Sequence, residues 1–125
     1  MATLHAGGND LANDIDIETI AGNLGYVGLE LKSRGVKHVA ISGMCPRKDL
    51  KDEIPKLNNA IKGLCRTYNL DYIDNTNIKY RYKDGDGYFR SHLSYDRVHL
   101  NYDGVEILES NYISYLRNLK AENEE

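Results

Sequence analysis

Two short runs in this sequence carry residue types suited to acid–base and oxyanion chemistry: Gly7-Gly8-Asn9-Asp10 near the start and Asp96-Arg97-Val98-His99 near the end. A carboxylate three residues ahead of a histidine, on a turn, can hold one ring nitrogen and leave the other aimed at a hydroxyl nucleophile. In that arrangement Asp96 orients and His99 is the base. An asparagine on a glycine-rich turn can donate its side-chain amide to a developing oxyanion, the glycines letting the backbone come close. Asn9 is the candidate donor, and Gly7 and Gly8 shape its turn. Each run also has a plain structural reading. Gly-Gly-Asn-Asp is a common turn in which Asn9 or Asp10 caps the next segment, and Asp96 can cap a turn while His99 packs as an imidazole.

In this order, at the two ends of an alternating strand and helix pattern, the runs resemble the SGNH hydrolases, the GDSL-type lipases and esterases, whose third block is Gly-x-Asn-Asp and whose fifth is Asp-x-x-His. The resemblance extends over nearly all of the chain, but over only the C-terminal half of the family fold. It implies a flavodoxin-like α/β fold, a three-layer αβα sandwich with a parallel sheet, truncated at the N-terminus. It also implies hydrolysis of short acyl or lipid esters by Ser-His-Asp chemistry, with no metal or organic cofactor. Asn9 would serve the oxyanion, and Asp96 and His99 the proton transfer. The family's nucleophilic serine sits in an N-terminal Gly-Asp-Ser block, and no Gly-Asp-Ser occurs in these 125 residues. Of Ser33, Ser42, Ser91, Ser94, Ser110 and Ser114, only Ser42, at the end of an expected central strand, is placed to face such a site. Its structural reading is a strand-end hydroxyl bonded to backbone. The resemblance therefore predicts a fragment that contributes the oxyanion asparagine and the Asp-His pair. The competing expectation is an inactive remnant that binds a protein partner through an exposed sheet edge.

The elements that must position these residues follow from hydrophobic period and caps. Met1 to His5 reads as a strand stub, broken by Gly7-Gly8 before a polar stretch from Asn9 to Asp14. Asp16 caps a helix to about Arg34, with Ile20, Leu24, Val27 and Leu31 on one stripe and Gly35 as its stop. Lys37 to Ser42 reads as a strand buried on both faces, and Gly43 to Lys48 as a loop. A second helix covers about Leu50 to Tyr68, with Ile54, Leu57, Ile61, Leu64 and Tyr68 inward. Pro55 is harmless there only in the first turn, so the regular helix begins near Asp52. Leu70 to Ile73 is a third strand, and Asp74 to Asn101 a long loop of the kind that carries function or is disordered. Asn101 then caps a last helix from about Tyr102 to Leu119, with Val105, Leu108, Tyr112, Tyr115 or Leu116, and Leu119 inward. Residues 1–119 thus form one domain, and 120–125 an acidic tail that frays.

Composition narrows the partners. With 125 residues the chain has room for one domain. Its net charge of −3 is matched by Glu122, Glu124 and Glu125 in the tail, so the body is close to neutral. A neutral body with no Lys/Arg run argues against nucleic acid and anionic membranes, which need a basic stripe. No apolar run reaches the roughly 20 residues of a membrane span, and the N-terminus lacks the basic and apolar regions of a signal peptide. The expectation is a soluble cytoplasmic protein. Cys45 and Cys65 have no CxxC or metal-site spacing and read as reduced thiols, with one disulfide open. Asp84-Gly85-Asp86-Gly87 looks calcium-like but lacks the closing Glu. Arg47 and Lys48 can meet an acidic substrate or form a solvated basic pair. A strand stub left at a sheet edge predicts self-association, aggregation, or stabilisation by a partner that supplies the missing strands.

Overall fold

The computed structural model describes residues 1–47, 50–78 and 102–124, the side chains of Asn9, Tyr102, Asp103, Asn123 and Glu124 excepted. Strand β1 (Ala2–Leu4) leads into a short helix α1 (Gly8–Ala12) and a long one, α2 (Ile17–Ser33). Strand β2 (Val39–Ser42), helix α3 (Glu53–Tyr68) and strand β3 (Asp71–Ile73) follow, and helix α4 (Tyr102–Glu124) closes the described chain. The three strands form a parallel sheet in the order β1-β2-β3. Among the described residues β1 pairs only with β2 and so forms one edge.

Register explains the layers. Leu4, Ile41 and Tyr72 lie side by side across the sheet, and all three join the apolar cluster built by α2 and α3. Thr3, Ala40 and Asp71, one residue earlier on each strand, are also in register and point to the opposite face. There the Tyr115 hydroxyl of α4 donates to Asp71 Oδ2 at 2.6 Å. Helices α2 and α3 thus cover one face, and α4 packs on the other. All four residues of β2 are buried, as expected of a central strand covered on both sides.

The helices form for the expected reasons, with informative departures. Asp16 caps α2, accepting from the Thr19 N–H at 2.7 Å. Pro55 falls in the first turn of α3, where its missing N–H had no partner. The inward stripe of α2 passes through Gly28 instead of Val27. Leu70 packs where a Cβ on Gly28 would sit, and Val27 is left 42 % exposed. In α3 the buried stripe ends on Cys65, and Tyr68 stands 40 % exposed. In α4 Tyr115 turns inward while Val105 and Leu116 face outward, and the helix continues past Leu119 to Glu124. The polar stretch that follows Gly7-Gly8 lies largely within the short helix α1. Its turn is closed by the Leu11 N–H on Gly7 O at 2.9 Å and anchored by the buried Leu11 side chain. The proposed cap Asn101 and most of the long loop lie outside the described residues. Both cysteines are free, and burial pushes the Cys45 thiol up to about 12 and Cys65 to about 11. No described helix is long and apolar enough to cross a membrane.

Candidate active site

Parallel strands bring Leu4, Ser42 and Ile73 to the same edge of the sheet, so the residues after each strand gather along it, where open α/β sheets build sites. The first of these segments carries the Gly-Gly-Asn-Asp run. Gly7 has φ +117°, a conformation L side chains rarely adopt. A Cβ there would also lie 2.8 Å from Ile20 Cγ2. Gly7 is therefore required on two grounds, and the tight turn it makes starts α1 at Gly8. Asn9 and Asp10 occupy the first turn of that helix. A Cβ on Gly8 would sit 3.4 Å from an Arg47 guanidinium nitrogen, so the loop after β2 folds over this turn. The turn and the helix bearing Asn9 are thus in place. Asp96 and His99 lie outside the described residues, as does Asp84-Gly85-Asp86-Gly87.

Behind the turn runs a polar network, centred on the buried Ser42 and Asn75, that spacing alone does not reveal. His5 Nδ1 is 2.8 Å from Ser42 Oγ. Asn75 Nδ2 donates to both Ser42 Oγ and Gly43 O, each at 2.7 Å. Asn75 Oδ1 in turn accepts from Asn111 Nδ2 of α4 at 2.9 Å. Burial holds the His5 ring below its ordinary imidazole value, favouring the neutral form. Ser42, the serine that sequence position brought nearest to the site, is fully buried and engaged on both sides. It is a strut between strand ends with no face open to an ester carbonyl. The one available signal for Asn75 was its place directly after β3, in Asp74-Asn75-Thr76-Asn77, where Asp74 Oδ1 accepts from the Thr76 N–H and hydroxyl.

A second clamp sets the loop after β2. Asn58, facing inward from α3, accepts from the Met44 N–H at 2.8 Å and donates to Met44 O at 3.0 Å. Asn58→Ala leaves both backbone groups buried and unpaired. It is expected to lower the unfolding free energy by about 1–3 kcal/mol, read as a lower urea midpoint at unchanged m-value. Among the described residues no group of three His, Cys, Asp or Glu side chains is arranged to hold a metal ion.

No family model and no curated protein matches this sequence. Solved structures do match it. A GDSL-like lipase from Bacteroides thetaiotaomicron superimposes with a TM-score of 0.79 at 17 % identity, covering 94 % of this chain and 62 % of the lipase. A Streptococcus pneumoniae protein, provisionally named a platelet activating factor, gives 0.78 at 16 %, with 91 % of this chain and 58 % of that protein covered. The chain has the SGNH-hydrolase fold. A point mutant of an acetyl-xylooligosaccharide esterase from Geobacillus stearothermophilus has the same architecture, with a TM-score of 0.69 at 16 % identity over 90 % of this chain and 57 % of the esterase. The chain therefore spans about three-fifths of the length of each of these proteins. At such low identities the likeness is one of fold, and it agrees with the α/β class and parallel sheet implied by the two sequence blocks.

Proposed function

We propose that these residues supply the oxyanion and proton-transfer half of an SGNH-type ester hydrolase that acts on short acyl or lipid esters without a metal or organic cofactor. The observation that carries this reading is the Gly7–Asn9 turn, built at the C-terminal edge of a parallel sheet in an SGNH-hydrolase fold. Two of the three structural neighbours are named for ester cleavage, a lipase and an esterase, which supports the ester as substrate class.

The reaction runs in two halves. A serine hydroxyl attacks the ester carbonyl as His99 takes its proton, with Asp96 holding the ring. The Asn9 amide donates to the tetrahedral oxyanion. His99 then returns the proton to the departing alcohol, leaving an acyl-serine. Water, deprotonated by His99, attacks the acyl group, and collapse releases the acid and restores the serine. With Ser42 sealed in the core, the nucleophile comes from a Gly-Asp-Ser segment other than these 125 residues. The outer edge of β1, unpaired among the described residues, is the strand position offered to that segment.

The test joins a Gly-Asp-Ser segment ahead of β1, or supplies it as a separate peptide, and follows p-nitrophenyl acetate hydrolysis. Asn9→Ala should then lower kcat by about 100- to 1,000-fold with little change in KM, because an oxyanion donor acts in the transition state. Equal kcat in the variant would contradict the role assigned to Asn9. A complex that forms through β1 but hydrolyses nothing would favour a non-catalytic binding module.

A further inference from the structure

The network behind the turn has a direction, and the direction follows from which atoms can donate. Gly43 O can only accept, so the side-chain amide of Asn75 must face it with Nδ2. The second hydrogen of that nitrogen goes to Ser42 Oγ. Ser42 is 0 % exposed, so its hydroxyl hydrogen needs a protein partner, and its remaining neighbour is His5 Nδ1. Asn75 Oδ1, on the far side, accepts from Asn111 Nδ2. Because Asn75 presents Oδ1 there, Asn111 must face it with Nδ2, and a reciprocal pair of 2.8 Å bonds with Asn77 braces the Asn111 amide.

We infer that Asn111, Asn75, Ser42 and His5 form a one-way hydrogen-bond relay that positions the Gly7–Asn9 turn relative to α4 and fixes His5 as the tautomer protonated on Nε2. Its part in catalysis rests on the reading of Asn9 as an oxyanion donor. The relay itself stands on the geometry. His5 is separated from Gly7 by Ala6 alone, so its bond to Ser42 sets where the chain leaves β1. Asn75 gathers the ends of β2 and β3, and Asn111 belongs to the helix that follows the Asp96–His99 run in sequence. Bonds aligned head to tail polarise one another, and a break at the buried Ser42 or Asn75 strands a donor or acceptor. These four residues are positioning residues and touch no reacting atom.

Histidine and side-chain amide NMR on the full chain tests the relay without requiring activity. Near neutral pH, the His5 ring should carry its proton on Nε2 and none on Nδ1. Protonating Nδ1 reverses the Ser42 bond, so on acidification the side-chain NH2 signals of Asn75 and Asn111 should move with the same midpoint as His5. Burial lowers the His5 midpoint. Asp74, which adjoins Asn75, is held below the ordinary carboxylate range, first by its Thr76 hydrogen bond, and its step is read separately from its own carboxyl carbon. In Ser42→Ala the His5 midpoint should rise, because the hydroxyl that favoured the neutral ring is gone, and the Asn111 signal should stop following it. Ser42→Cys, which keeps a hydrogen-bonding group but is a weaker donor, should fall between the two. A proton on Nδ1 in the unmodified chain, or an Asn111 amide indifferent to His5 titration, would overturn the relay. Coupling that is present while Asn9→Ala leaves hydrolysis unchanged would sink the oxyanion reading alone.

Discussion

Replacing His99 by alanine in the serine-supplemented chain is expected to lower kcat by about 10⁴- to 10⁶-fold, the scale seen when the base of a serine hydrolase is removed. The size follows from the chemistry. A serine hydroxyl is a poor nucleophile until its proton has somewhere to go. Without the imidazole neither the attack nor departure of the alcohol has a proton carrier. KM for a small ester should change little, because the acyl and alcohol parts meet other groups in the ground state. A drop of only a few-fold would mean that hydrolysis uses another base, and His99 would revert to a packed imidazole.

Asp96→Asn should cost about 10⁴-fold in kcat, again with KM nearly unchanged. The carboxylate and the amide have almost the same shape, so the loss is electrostatic and tautomeric. An amide that presents N–H to the ring selects the wrong tautomer and cannot stabilise the imidazolium formed during attack. Because Asp96 and His99 act as one unit, the double variant should be little worse than His99→Ala alone. Additive losses would separate the two residues and contradict the pairing. The assay is steady-state hydrolysis of p-nitrophenyl acetate, with circular dichroism to confirm that each variant retains its helices.

The fold was legible where period and burial agree. Ile20 and Leu24 in α2, and Ile54, Leu57 and Ile61 in α3, recur at helical spacing and are all buried. The apolar run Val39-Ala40-Ile41 marked a strand covered on both faces. Misplaced residues were decided by a neighbour distant in sequence. Val27 gives way to Gly28 because Leu70 needs the space, and Val105 faces outward where α4 turns Tyr115 toward Asp71. Helix α1 escaped detection because five residues beginning Gly-Asn-Asp have little helical propensity of their own. It is held by the Gly7 carbonyl and the buried Leu11.

The site was legible to a different degree. The requirement for glycine at position 7 could be anticipated from the turn, and the structure supplies its cause in the positive φ and the contact with Ile20. The network of His5, Ser42, Asn75 and Asn111 could not be found by spacing. Its members lie on four separate segments, and a lone asparagine after a strand has no periodic signature. Only the parallel register, which brings the ends of β1, β2 and β3 together, makes them neighbours.

We propose that the chain contributes an oxyanion donor and an Asp-His pair to a hydrolase whose serine comes from another segment. Intact-mass labelling with a serine-directed fluorophosphonate tests it most directly, on the 125-residue chain alone, on the chain with a Gly-Asp-Ser segment, and on the same pair carrying His99→Ala. The chain alone should take no label, the serine of the added segment should take one, and that label should be lost in His99→Ala. A label on Ser42 in the chain alone, or labelling of the segment that survives His99→Ala, would contradict it.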